Sequence, residues 1–186
     1  MQPSTLVKVA IFFAVSAAVV YVSRRSLRDV RSHGFYRFFA FELLLALILL
    51  NATRWFCNPL SSRQLVSWLL GVVSVGLAAE GFRLLRRIGR LAPSANQNSN
   101  FEQTTTLVTV GLYRFIRHPL YASLLALVWC AYLKSPFAIS SVVLALGASG
   151  FLIATSVAEE KENLLSFGTA YAAYMKRTRR FVPFLF

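Results

Sequence analysis

Residues 137–157, FAISSVVLALGASGFLIATSV, run for twenty-one positions without a charged side chain. A helix needs roughly 20 mainly apolar residues to cross the hydrocarbon of a bilayer, so this stretch reads as a membrane span. Outward from it, four more apolar stretches occur at about 5–22, 38–55, 65–84 and 117–133. The first lacks a basic start and Lys8 interrupts it, which favours a span over a signal peptide. Together the five take about half the chain and leave no room for a separate soluble domain of ordinary size. The expected fold is all-α: a polytopic membrane protein with about five transmembrane helices. Residues 1–100 hold helices 1–3 and the start of a connecting loop, and 101–186 hold helices 4–5 and the tail, in one integrated membrane domain.

Composition agrees. The 186 residues are 56% hydrophobic and only 15% charged, yet Lys+Arg 20 against Asp+Glu 7 gives a net charge of +13. Mean hydropathy is +0.57. A disordered basic tail is excluded, because such tails are poor in apolar residues. A soluble nucleic-acid binder carries its basic residues on polar surface, so that class does not fit either. Two cysteines, Cys57 and Cys130, make neither a disulfide framework nor a cysteine-rich metal site. The excess charge falls on one side of the alternating spans. Arg24, Arg25, Arg28, Arg31 and Arg37 follow helix 1. Arg83, Arg86, Arg87, Arg90, Arg114 and Arg117 lie between helices 3 and 4, and Lys161, Lys176, Arg177, Arg179 and Arg180 follow helix 5. The opposite side receives only Lys8, Arg54, Arg63 and Lys134. The positive-inside rule then puts the N-terminus outside and the C-terminus in the cytoplasm. An odd number of spans is what this alternation requires.

That topology brings the start of helix 4 and the end of helix 5 to the same face, where the polar chemistry concentrates. The loop after helix 3 is polar at Pro93–Asn100, as a binding lid is. The β-branched run Thr104-Thr105-Thr106-Leu107-Val108-Thr109-Val110 follows and favours extended backbone. Gly111 suits a turn with positive φ. In Arg117-His118-Pro119-Leu120-Tyr121, the proline fits the first turn of a helix, with His118 and Tyr121 three apart on one face. Helix 5 ends in Glu159-Glu160-Lys161-Glu162, three of the chain's seven acidic residues. At a helix C-terminus these oppose the dipole and need a cation, either the tail's arginines or a positively charged ligand. Leu164, Phe167, Tyr171 and Tyr174 recur at helical spacing, as on an interfacial helix. Arg180 has the fork geometry that binds carboxylate or phosphate. His33, in a basic loop, reads as a headgroup contact. Glu42 reads as near the cytoplasmic end of helix 2, Glu80 as paired with Arg83, Asn51 as a bridge between helices, and Cys130 as helix packing.

Taken together, Thr106-Leu107-Val108, Gly111-x-Tyr113, Arg117-His118-Pro119-x-Tyr121, Glu159-Glu160, Leu164, Phe167-Gly168, Tyr171, Tyr174, Arg180 and Pro183 resemble a membrane methyltransferase superfamily. It includes isoprenylcysteine carboxyl methyltransferase and the phospholipid N-methyltransferases. The resemblance covers residues 104–186; residues 1–100 share only general membrane character. It implies S-adenosylmethionine bound at the cytoplasmic face. The implied cofactor-binding residues are Thr106, Leu107, Val108, Tyr113, His118, Pro119, Leu120, Tyr121 and Glu159, with Glu160 the weaker member of its pair. No metal is implied. Isoprenylcysteine enzymes carry an Arg four residues before the paired Glu, assigned to the substrate carboxylate. Here that position is Thr155, and a hydroxyl does not replace a charged fork. Arg180 is then the residue expected to orient an anionic headgroup.

The expected reaction is methyl transfer to a lipophilic acceptor from the bilayer: an isoprenylcysteine-like carboxylate, a phospholipid amine or a thiol. A thiolate or carboxylate needs no base whereas an amine must lose a proton, so no general base is assigned. Two rivals stay open. One is an NADPH-dependent membrane reductase; the other is a non-catalytic regulatory or lipid-binding relative. The expected partners are membrane lipids and the acceptor, with no nucleic acid. The expected location is an integral position in a prokaryotic plasma membrane.

Overall fold

The computed structural model describes residues 3–88 and 106–183; the polar stretch Pro93–Asn100, with Thr104 and Thr105, lies outside them. The order is α1 (Pro3–Ser23), α2 (His33–Asn51), α3 (Ser62–Ile88), α4 (Pro119–Leu133) and α5 (Ile139–Arg177), with single 3-10 turns at Ser26–Arg28, Ala52–Arg54 and Gly111–Arg114. Four of the five helices are long and apolar enough to cross a membrane, and α4 is a shorter apolar helix. The protein is an all-α polytopic membrane protein. At 1.5 Å per residue, α4 is about 22 Å long and α5 about 58 Å. The first is shorter than a bilayer core of roughly 30 Å and the second much longer. The apolar run 137–157 is thus only the first half of a helix whose second half carries polar chemistry.

Local sequence sets the helix ends. Ser32 caps α2, its hydroxyl accepting from the Phe35 N–H at 3.2 Å. Pro119 occupies the first turn of α4, where its missing N–H removes no helical bond. In α5 the backbone leaves helical geometry at Gly168, with φ 55° and ψ −129°. This region is open to glycine and hardly to other residues, so the helix kinks there. Lys176 and Arg177 in its last turn complement the dipole.

The helices pair as α3 with α4 and α2 with α5. With lipid outside, close approach and hydrogen bonds hold such pairs. The Ser67 and Ser74 hydroxyls donate to the carbonyls of Cys130 (2.9 Å) and Ser123 (2.8 Å). Asn51 donates to the Ala131 carbonyl at 3.0 Å and accepts from Ser141 at 3.4 Å, bridging α2 to α4 and α5 as expected. Phe39 and Phe151 stack across α2 and α5 with centroids 5.2 Å apart. The core between these helices holds Ala40, Leu44, Leu47, Val128, Ala131, Ala145, Ala148 and Leu152. Just past α4, Lys134 is buried; its Nζ lies 3.2 Å from the Trp68 ring centroid, 5.2 Å from that of Trp55, and 3.2 Å from Gln64 Oε1. The cation–π contacts hold an ammonium whose pKa burial pushes down.

Helix α1 packs on α2. Its Ser16 hydroxyl donates to Glu42 Oε2, while Glu42 Oε1 is buried without a hydrogen-bond partner. Glu42 stands in the middle of α2, not near its end as the apolar boundaries predict, because α2 starts at His33. Glu80 and Arg83 pair as expected, at 2.6 and 2.7 Å.

Candidate functional site

A cleft of about 230 Å³ opens where the N-terminal ends of α2 and α4 meet the second half of α5. Each wall comes from a different element. Leu85 of α3 joins Leu107, Val108 and Tyr113 of the segment before α4. Here the chain is extended through Val110 and turns at Gly111, whose φ is +60°, in the left-handed region favourable to glycine. The start of α4 supplies Arg117, His118, Pro119, Leu120 and Tyr121. Helix α5 supplies Glu159, Glu162, Asn163 and Ser166 on one face, then Phe167, Tyr171 and Tyr174 around the kink. The last wall is His33, at the first turn of α2.

The tail closes the structure behind this cleft. Residues 115–118 and 179–180 pair as a short parallel bridge. Arg117 N–H donates to Arg179 O (2.8 Å), His118 N–H to Arg180 O (3.1 Å) and Arg179 N–H to Phe115 O (3.0 Å). Phe181 is buried beside His118. Tyr171 and Tyr174 are buried as well, Tyr174 donating to the Tyr113 carbonyl at 2.6 Å. These two tyrosines face the site, where their spacing alone reads as an interfacial helix. The exposed large apolar side chains of that stretch are Leu164 and Leu165.

The two adjacent glutamates separate in role. Glu160 is almost fully buried. Its Oε1 accepts from Arg117 Nε at 2.8 Å and Oε2 from Arg180 Nη2 at 2.7 Å. A second Arg117 nitrogen donates to the Met175 and Thr178 carbonyls, at 3.2 and 2.5 Å. Glu160 therefore takes the tail-arginine partner that the acidic cluster requires. Glu159 instead faces the cleft and accepts from the Tyr121 hydroxyl. The His118 ring stacks on Tyr121 with centroids 5.4 Å apart. Its Nδ1 lies 3.9 Å from Glu159, and its Nε2 lies 3.4 Å from Glu160 Oε1 but outside hydrogen-bond geometry.

Of the residues named from sequence, Leu107, Val108, Tyr113, His118, Pro119, Leu120, Tyr121 and Glu159 line the cleft. Thr106 is exposed, and Glu160, buried, pairs with the half-buried Arg180 outside the cleft lining. Arg180, expected to orient an anionic headgroup, has its guanidinium on Glu160. Thr155, where the resemblance expects an arginine, is buried and donates to the Phe151 carbonyl at 2.7 Å. Among the described residues no group of three or more His, Cys, Asp or Glu is placed to hold a metal ion.

His33 is the residue that the sequence misplaced. It is buried in the cleft wall rather than exposed in a loop, with its backbone N–H on Glu162 Oε1 (2.9 Å) and its Nδ1 on Glu162 Oε2 (2.5 Å). The two stand 129 positions apart. The only local hint was the excess of carboxylates in 159–162.

A sequence model of the isoprenylcysteine carboxyl methyltransferase family matches residues 73–166. The chain belongs to this family. It is therefore a membrane methyltransferase. A search of curated proteins gives no match. The stretch matched to the isoprenylcysteine carboxyl methyltransferase family holds α4, the segment before it and Glu159–Glu160. His33, Tyr171, Tyr174 and Arg180 lie outside it.

Proposed function

We propose that the chain transfers the methyl group of S-adenosylmethionine to a lipophilic acceptor that reaches the cleft from the bilayer. The observation that carries this reading is the division of the glutamate pair. Glu160 is compensated by two guanidiniums, whereas Glu159 presents its charge to a cleft that also has an apolar and aromatic wall, from Leu85, Leu107, Val108, Tyr113 and Leu120. That combination suits a ligand with a cationic centre and a flat apolar ring. Leu85, Leu107, Val108 and Leu120 would flank the adenine, with Tyr113 against it. Glu159, held by Tyr121, would face the sulfonium and ammonium. The first turn of α4 has main-chain N–H groups outside the helical ladder, which favour the carboxylate. Bound there, S-adenosylmethionine supplies an activated methyl group on a sulfonium. The chain's part is to align the two reactants and to exclude water.

In this reading Arg117 and Arg180 act as positioning residues for Glu160, which fixes the start of α4 against α5. A dinucleotide carries more phosphate, and Arg117, the Lys or Arg that lines the cleft among the described residues, already holds Glu160; this favours the methyl donor over the reductase reading. The one-sided arginines support a cytoplasmic C-terminus and an external N-terminus. The pairing of α2 with α5 supports one integrated domain.

Calorimetric titration of the detergent-purified protein tests this. S-adenosylmethionine and its demethylated product should bind saturably, and NADPH should not. Glu159→Gln removes a charge-assisted contact of about 1.5–3 kcal/mol and should weaken S-adenosylmethionine binding about 10–100-fold. Unchanged affinity removes Glu159 from the site, and absence of binding by the folded protein refutes the reading.

A further inference from the structure

We infer that Gly81 of α3 is a positioning residue for the adenosine half of the cofactor. Its missing side chain leaves the space that Leu120 occupies, and so sets how far the α4 wall stands back from the cleft. The inference rests on the methyl-transfer reading of the same cleft.

Gly81 is buried where α3 packs on the start of α4. A Cβ there would lie 2.9 Å from Leu120 Cδ2, 3.4 Å from Leu120 Cγ and 3.6 Å from Pro119 Cγ. Carbon atoms rest about 3.5–4.0 Å apart, so the proline distance is ordinary and the first one requires Leu120 to yield. Leu120 and Pro119 both belong to the cleft lining, as do Arg117, His118 and Tyr121. Whether the Leu120 isobutyl group turns or the first turn of α4 shifts, the part that moves is a part of that wall.

The end of α3 touches the other half of the adenosine wall in the same manner. Leu84 packs against Gly111, and Leu85 lines the cleft itself. Leu84, Val108 and Tyr113 form a buried cluster of their own, apart from the core between α2, α4 and α5. A change at this end of α3 therefore reaches the cleft without disturbing that core. The fold loses little from a methyl group at Gly81. The nearest atom is the end of a flexible side chain, and alanine forms helix better than glycine. Affinity and stability should separate there, which a residue that serves packing alone would not allow.

The test uses the full chain in detergent. Calorimetry compares S-adenosylmethionine, its demethylated product and methylthioadenosine, which keeps the adenosine and lacks the amino-acid part. Gly81→Ala should weaken all of them about 10-fold, with the melting temperature within about 3 °C of the wild type. Gly76→Ala is the control: a Cβ at Gly76 meets nothing within 4 Å, and affinity should stay as it is. Leu120→Ala removes the atoms nearest the new methyl group, so adding Gly81→Ala to it should cost no further affinity. Leucine-methyl NMR judges the contact without any ligand. The Leu120 resonances, assigned by Leu120→Val, should shift in Gly81→Ala and not in Gly76→Ala. Unchanged affinity in Gly81→Ala, a loss that methylthioadenosine does not share, or the same loss in the Leu120→Ala background overturns the inference. So do unshifted Leu120 resonances, and so does a Gly81→Ala chain that melts far below the wild type, since Gly81 would then serve packing alone. Failure of the wild type to bind any of the ligands refutes the cofactor reading instead, and the Leu120 resonances still judge whether Gly81 positions the α4 wall.

Discussion

Replacing Arg117 by alanine leaves the Glu160 carboxylate, 5% exposed at its side chain, with one cation in place of two. Breaking a buried pair from one side costs about 3–5 kcal/mol, because the remaining charge is stranded. Arg117→Ala should therefore lower the melting temperature in detergent far more than Arg83→Ala, which breaks an exposed pair worth roughly 0–1 kcal/mol. Equal effects would mean that Glu160 finds water or another cation. Lys134 makes a prediction of the opposite kind. Burial holds its pKa below the unfolded value. Between those two values the unfolded chain binds more protons, so stability should increase as pH rises toward the ordinary lysine range near 10.4. Lys134→Met should flatten that slope in denaturation measured across alkaline pH. Both residues are visible in the sequence, but neither role is. A basic residue at a loop boundary reads as a headgroup contact until the partner, a carboxylate or an indole, is brought to it from another helix.

At the scale of elements, the apolar runs placed the helices and Pro119 the start of α4, because hydropathy and a first-turn proline are local; the Ser32 cap, which starts α2 at His33, was not read. The kink in α5 and the turn before α4 were legible only as glycines. Gly111 has φ +60°, and a Cβ there meets Leu84 Cδ1 at 2.7 Å. Gly111→Ala combines left-handed strain of about 1–2 kcal/mol with this clash. It should displace the segment that carries Leu107, Val108 and Tyr113. Cofactor affinity should fall along with thermal stability; retained affinity would separate that segment from the binding wall. The parallel bridge between 115–118 and 179–180 was not legible at all. It joins segments about sixty positions apart through main-chain groups, which no side-chain pattern encodes. The same blindness applies to α5: a stretch of polar and aromatic residues after the acidic cluster reads as a surface helix until Tyr171 and Tyr174 find Tyr113 and the cleft.

For the whole molecule, the family match and the cleft divide the chain differently from its linear halves. Residues 73–166 supply the walls proposed for the cofactor, while α2 and the tail, from opposite ends of the sequence, complete the enclosure. Removing residues 179–186 should thus do more than trim an end. Arg180, Phe181 and the backbone partners of Arg117 and His118 leave together. The shortened chain should still be helical by circular dichroism yet lose S-adenosylmethionine binding in calorimetry. Binding retained by that truncation would show that the tail's closure is dispensable.

The pair between Ser16 and Glu42 has a consequence for how the chain enters its membrane. An acidic side chain in the middle of a span opposes insertion by an amount on the order of 3 kcal/mol. Helix α1 precedes α2 from the ribosome, so its hydroxyl is already available when Glu42 reaches the translocation machinery. The two helices are then best released into lipid as a hairpin, with α1 serving as an internal escort for the helix that carries His33.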